Sequence, residues 1–166
     1  MIDAQSRLAE LFDTLPDMTI GSDTFSVRND WGTQKDLNKW LKLNRNKGKY
    51  PLVWLLTPVS DTGDEDTVSG DYTLILATLN KDVDMGNRER SRRSFATTLN
   101  PLYDNVIKAL ERGSSIDFVG AERTKTNFYN YSEDDVSHEN TEIWDVIKLE
   151  VSIGINNNCL KTIYYG

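Results

Sequence analysis

Two apolar runs sit close together near the middle of the chain, and they constrain its fold more than any other feature. The first is Tyr50-Pro-Leu-Val-Trp-Leu-Leu-Thr-Pro58 and the second is Asp71-Tyr-Thr-Leu-Ile-Leu-Ala-Thr-Leu-Asn80. Each has the length of a strand. A strand with one wet face alternates apolar and polar residues, whereas a run apolar at both parities is buried on both faces. The join between them is polar and holds Asp61, Gly63, Asp64, Glu65, Asp66 and Gly70, so it reads as exposed turn chemistry. The pair therefore predicts a long-looped hairpin at the centre of a sheet, with Trp54 on one face and Leu55 on the other. Two things could cover those faces: helices of the same chain, or a neighbouring subunit.

A helix is predicted over 2–15, where Ala4, Leu8, Leu11, Phe12 and Leu15 recur at helical spacing and Pro16 ends the pattern. Residues 24–28 alternate and predict a short strand with Phe25 and Val27 inward. Trp31-Gly32 reads as a turn. Thr33 can then cap a second helix, with Asp36 as the acidic half of a capping box. Leu37, Trp40, Leu41 and Asn44 share one face of it, and Lys47-Gly48 marks its end.

After the hairpin, residues 81–93 are polar and rich in arginine. Phe95 to Leu99 reads as extended, and Asn100-Pro101 as the start of a helix bearing Leu102, Val106, Ile107 and Leu110 and ending at Gly113. The alternative is one longer, Pro-kinked helix from about residue 88, which Thr97-Thr98 disfavour. Ile116, Phe118 and Val119 suggest a strand. Residues 121–140, polar with a Phe128-Tyr129-Asn130-Tyr131 cluster, read as a long exposed excursion. From Ile143 to Ile155 the odd positions are nearly all apolar, which predicts a long strand with one wet face. Asn156-Asn157-Asn158 predicts a turn, and Leu160 to Tyr164 a short edge strand. The expected fold is a single α+β domain over 1–166: a mostly antiparallel sheet with a central hairpin and flanking helices.

Charge and composition narrow the function. The formal net charge of −7 disfavours a general nucleic-acid or anionic-membrane surface. The single cysteine, Cys159, precludes an intrachain disulfide framework. No run approaches the ~18 apolar residues of a membrane span. No catalytic constellation emerges, and the expectation is a protein that is not an enzyme and has no cofactor. His138, the only histidine, lies in the acidic excursion. The carboxylates at 61–66 and at Asp82 and Asp84 lack the spacing of a calcium loop. Arg88, Arg90, Arg92 and Arg93 form the one local basic patch.

This order of elements, with Tyr50, Pro51, Trp54 and Leu55, the Arg88–Phe95 segment, Leu99, Pro101, Leu102, Tyr103, and Asp145 to Cys159, resembles a family of small phage neck proteins from phages of Bacteroides-like hosts. The element order is similar to the tail-terminator fold. The resemblance implies a virion protein, assembled in the host bacterial cytoplasm, that forms a six- or twelve-fold ring at the head–tail junction. Such a ring links portal or adaptor to tail and passes DNA through its channel as cargo. On that reading Trp54, Leu55, Arg88, Arg90, Arg92, Arg93, Phe128, Tyr129 and Tyr131 are interface candidates, and the arginines meet an acidic protein surface. Two other readings stay open: another oligomeric tail or baseplate component, and a small enzyme.

Overall fold

A computed structural model describes residues 3–43, 48–80, 85–129, 131 and 143–156. The fold is α+β, built on a six-stranded mixed sheet with helices on both faces. Helix α1 (Ala4–Phe12) is capped by Asp3, whose carboxylate accepts from the backbone N–H and hydroxyl of Ser6. It buries Ala4, Leu8 and Phe12, one turn apart. A small hairpin of β1 (Met18–Ile20) and β2 (Asp23–Phe25) follows, its turn made possible by Gly21 at φ 66°. Strand β3 (Arg28–Gly32), helix α2 (Gln34–Lys42) and strand β4 (Leu52–Leu56) form a βαβ unit in which β3 and β4 run parallel. Trp31-Gly32, read above as a turn, lies inside β3, and the strand expected over 24–28 is divided between β2 and β3.

The capping box of α2 is present. Thr33 Oγ1 accepts from the Asp36 N–H at 3.2 Å, and the Asp36 carboxylate accepts from the Thr33 N–H at 3.0 Å. The Thr33 N–H and then the Thr33 hydroxyl, both donating to the Asp36 carboxylate, hold that carboxyl below its ordinary range. A carboxylate with a lowered folded-state pKa adds stability that is present above its unfolded pKa and lost as pH falls through the folded value. The melting temperature should therefore drop as pH falls below about 4. Asp36→Asn should flatten that drop, measured by circular dichroism between acid and neutral pH. An unchanged acid limb would show the cap to be idle. The helix stops at Lys42, earlier than Lys47-Gly48; Asn44 and Lys47 lie outside the described residues.

The two apolar runs are the interior strands β4 and β6 (Thr67–Asn80), paired antiparallel. The join expected to be a loop is mostly strand. Ser60–Gly63 forms β5 and pairs with the first residues of β6, leaving only a tight turn at 64–66. Asp64 closes that turn by accepting from the N–H groups of Asp66 and Thr67 at 2.9 and 2.8 Å. These residues are polar because the ribbon they form is exposed on its edge, not because they lack regular structure.

The sheet order is β3-β4-β6-β8-β7, with β5 beside β6 on the same edge as β4. Strands β6 and β8 (Ile143–Asn156) pair along fourteen positions. Strand β7 (Ile116–Phe128) forms the far edge, with a register shift between Phe118 and Arg123. This corrects the expected excursion: its first part, up to Phe128, is an edge strand. An edge strand wet on most sides carries polar residues, and Thr124 and Thr126 suit a pleated backbone. Residues 130 and 132–142, with His138, lie outside the described residues, as do Cys159 and the expected strand at 160–164.

One continuous helical stretch spans 87–112. It comprises a turn of α3 (Asn87–Arg90), a π-helical segment (Ser91–Leu99) and α4 (Asn100–Arg112). The long-helix alternative is the one observed, and Phe95–Leu99 is not extended. The reason is burial. Phe95, Leu99, Leu102, Val106 and Leu110 make one apolar stripe along the sheet, which outweighs the poor propensity of two threonines. The wider π turn lies just ahead of Pro101, whose ring would otherwise meet the carbonyl one turn back. Thr97 also donates its hydroxyl to the Arg93 carbonyl, giving that acceptor a local partner.

The core has two parts, one on each side of the sheet. On face A, Val53, Leu55, Leu74, Leu76, Ile147 and Leu149 meet the apolar stripes of α1, the π segment and α4. On face B, Leu52, Trp54, Ile75, Ala77, Trp144 and Val146 meet Leu37 and Leu41 of α2. The chain's own helices thus cover both faces of the β4–β6 hairpin.

Candidate functional site

The structure sorts the interface candidates into three groups. Trp54 and Leu55 are 3% exposed, one on each face, and the chain itself buries them. They are core residues and not contacts for a neighbour. Sequence could not distinguish these outcomes, because double-sided burial looks the same whoever supplies the cover.

The second group fastens the end of β7. Tyr129 packs on Phe95 of the π segment, with ring centroids 4.7 Å apart. The buried Arg90 donates from its guanidinium to the Tyr129 carbonyl and to Asn87 Oδ1. Arg90 therefore belongs with the structural residues and not with an exposed strip. Phe128 meets Tyr131 edge to face at 5.5 Å, and the Tyr131 hydroxyl donates to Gln34 Oε1 at 2.7 Å. The aromatic cluster clamps the chain to the π segment on face A and to the start of α2 on face B. On the same edge Lys125 lies over the Tyr103 ring at 4.7 Å and donates to Asn100 Oδ1.

The third group remains on the surface. Arg88, Arg92 and Arg93 are exposed at the start of the long helical stretch. Arg93 is held by Glu89 at 2.8 Å. Arg88 and Arg92 lie one turn apart on the same side, and among the described residues neither has a carboxylate partner.

A second charged surface was missed in the sequence. Helix α2 has nine residues, about 13 Å. Strand β6 has fourteen, about 45 Å. The helix covers only the half of face B that carries Trp54, Ile75 and Trp144. Among the described residues nothing covers the other half, which has a hollow of about 460 Å³ lined by Ser69, Asp71, Asp117, Ser152 and Gly154. Ser152 donates its hydroxyl to Asp71 Oδ1. Asp117, opposite Gly154 on the neighbouring strand, is exposed. The adjoining β5–β6 turn adds Asp64, Glu65 and Asp66. On the other face the Tyr72 hydroxyl donates to Asp61; burial and the carboxylate together push its pKa well above the ordinary tyrosine value.

One of these surfaces is basic and the other acidic. Among the described residues no group of three His, Cys, Asp or Glu side chains could hold a metal ion. No helix among them is long and apolar enough to cross a membrane. No family model matches the chain, and no curated protein matches it.

Proposed function

We propose that the chain is a structural virion protein: the subunit of a six- or twelve-fold ring at a phage head–tail junction, a tail terminator or head–tail connector. The single observation that supports this most is a pair of arginines, Arg88 and Arg92, that have no carboxylate partner among the described residues. They stand exposed on the long helical stretch of a chain whose net charge is −7. Arg88 lies in the first turn, where a cation opposes the helix dipole, a cost that an acidic protein partner offsets. The subunit is of the α+β class that this reading expects, a sheet with helices on both faces. On this reading the ring joins portal or adaptor proteins to tail proteins, and DNA crosses its channel as cargo.

Sedimentation velocity and negative-stain imaging test the proposal. The expected result is a closed ring with a mass that is a six- or twelve-fold multiple of the 18.9 kDa subunit. A species of 18.9 kDa at every concentration, with no ring images, would reject it.

A further inference from the structure

The arginines and the bare acidic half of face B lie far apart on one subunit. Arg90 bonds the chain next to Phe128, which pairs with Val146, itself opposite Ala77. This places the start of the long helical stretch level with Ala77, on face A. Asp71 is six residues back along β6, about 20 Å, and on face B. A subunit cannot close this contact on itself. We propose that the uncovered half of face B receives the arginine-bearing start of the long helix of a second copy of this chain. The proposal deepens the ring reading and rests on it.

Three features argue for that occupant. First, the surfaces have opposite charge. Among the described residues Asp71 and Asp117 have no cation beside them, while Glu150 is already engaged by Lys148 at 3.8 Å. Second, the spacings agree. Asp71 and Asp117 flank β8 on either side, roughly 10–12 Å apart by strand spacing. Two long arginine side chains one helical turn apart, about 5.4 Å, can splay to that distance. Planar guanidinium groups also suit carboxylates held in place, as Ser152 holds Asp71. Third, the floor is low. Gly154 presents no side chain between the two carboxylates, so a helix end can approach the sheet.

The contact uses different patches on the two partners. Such heterologous association forms a ring when the rotation closes. Each subunit gives its arginines to one neighbour and its acidic face to the other.

Charge exchange in the full-length chain tests the idea. Asp71→Arg with Asp117→Arg makes one variant, and Arg88→Asp with Arg92→Asp makes the other. All four residues are exposed, so each variant should melt with wild-type cooperativity. Sedimentation velocity at about 0.1 M salt should show each variant associating roughly tenfold or more weakly than wild type, because several charge pairs change sign together. Mixing the two variants should restore assembly, since each then supplies the charge the other lacks. A wild-type ring in either variant alone, or no recovery on mixing, would overturn the proposal while leaving the ring itself standing. A monomeric wild type would overturn both. Fluorescent duplex DNA is the remaining arm. Steeply salt-dependent binding that the arginine variant loses, with its ring intact, would assign Arg88 and Arg92 to DNA and reject the contact.

Discussion

Trp54→Ala should unfold the subunit far more easily than wild type, with a loss of about 3–5 kcal/mol in urea or thermal denaturation. The indole is buried between α2 and the sheet. It contacts Trp40 at 6.4 Å, and its Nε1–H donates to the Gly32 carbonyl at 3.1 Å. The backbone has already adapted to it, because a Cβ at position 32 would lie 2.8 Å from Trp54 Cζ2. Most of the cost should come from the cavity. The Gly32 carbonyl keeps the Thr57 N–H as a donor at 2.8 Å, so truncation leaves no orphaned acceptor there. Trp54→Phe should cost less, since it restores most of the apolar volume. A wild-type unfolding midpoint with weakened assembly would instead place Trp54 at a subunit contact.

The second large effect is expected at Phe95. Phe95→Ala should cost about 3–5 kcal/mol, whereas Arg92→Ala, three positions earlier and exposed, should stay within about 0.5 kcal/mol. Phe95 is 2% exposed and packs on Tyr129, so its loss opens the core and also loosens the end of β7. Amide exchange should then rise at Thr126–Tyr129 before the rest of the sheet. Equal, small effects for both substitutions would mean that the π segment is not packed as described.

The two substitutions together separate subunit stability from subunit association. Trp54 and Phe95 act within one chain. Arg88, Arg92, Asp71 and Asp117 are exposed, and changing them should alter association with little effect on the melt.

Elements with strong local signals were legible in the sequence. Thr33 and Asp36 form their capping box because cap chemistry is local. The odd positions of β8 from Asp145 to Ile155 are buried because strand period is local. The apolar runs at Leu52–Leu56 and Leu74–Ala77 announced two-sided burial. The β5–β6 ribbon was also within reach: from Val68 the pattern Val68, Gly70, Tyr72, Leu74 against Ser69, Asp71, Thr73 already alternates. It was obscured because exposed strands and loops share a polar composition.

What the sequence determined by itself, then, was an α+β subunit with a sheet buried on both faces, since periodicity and run length act along the chain. Only the tertiary structure decided who covers that sheet and where cover stops. The path from Arg90 to Phe95 became helix because face A needed an apolar stripe. Nine-residue α2 proved too short for fourteen-residue β6, and that mismatch exposed Asp71 and Asp117. Length mismatch between packed elements is a property of their assembly and leaves no local mark on the residues it uncovers.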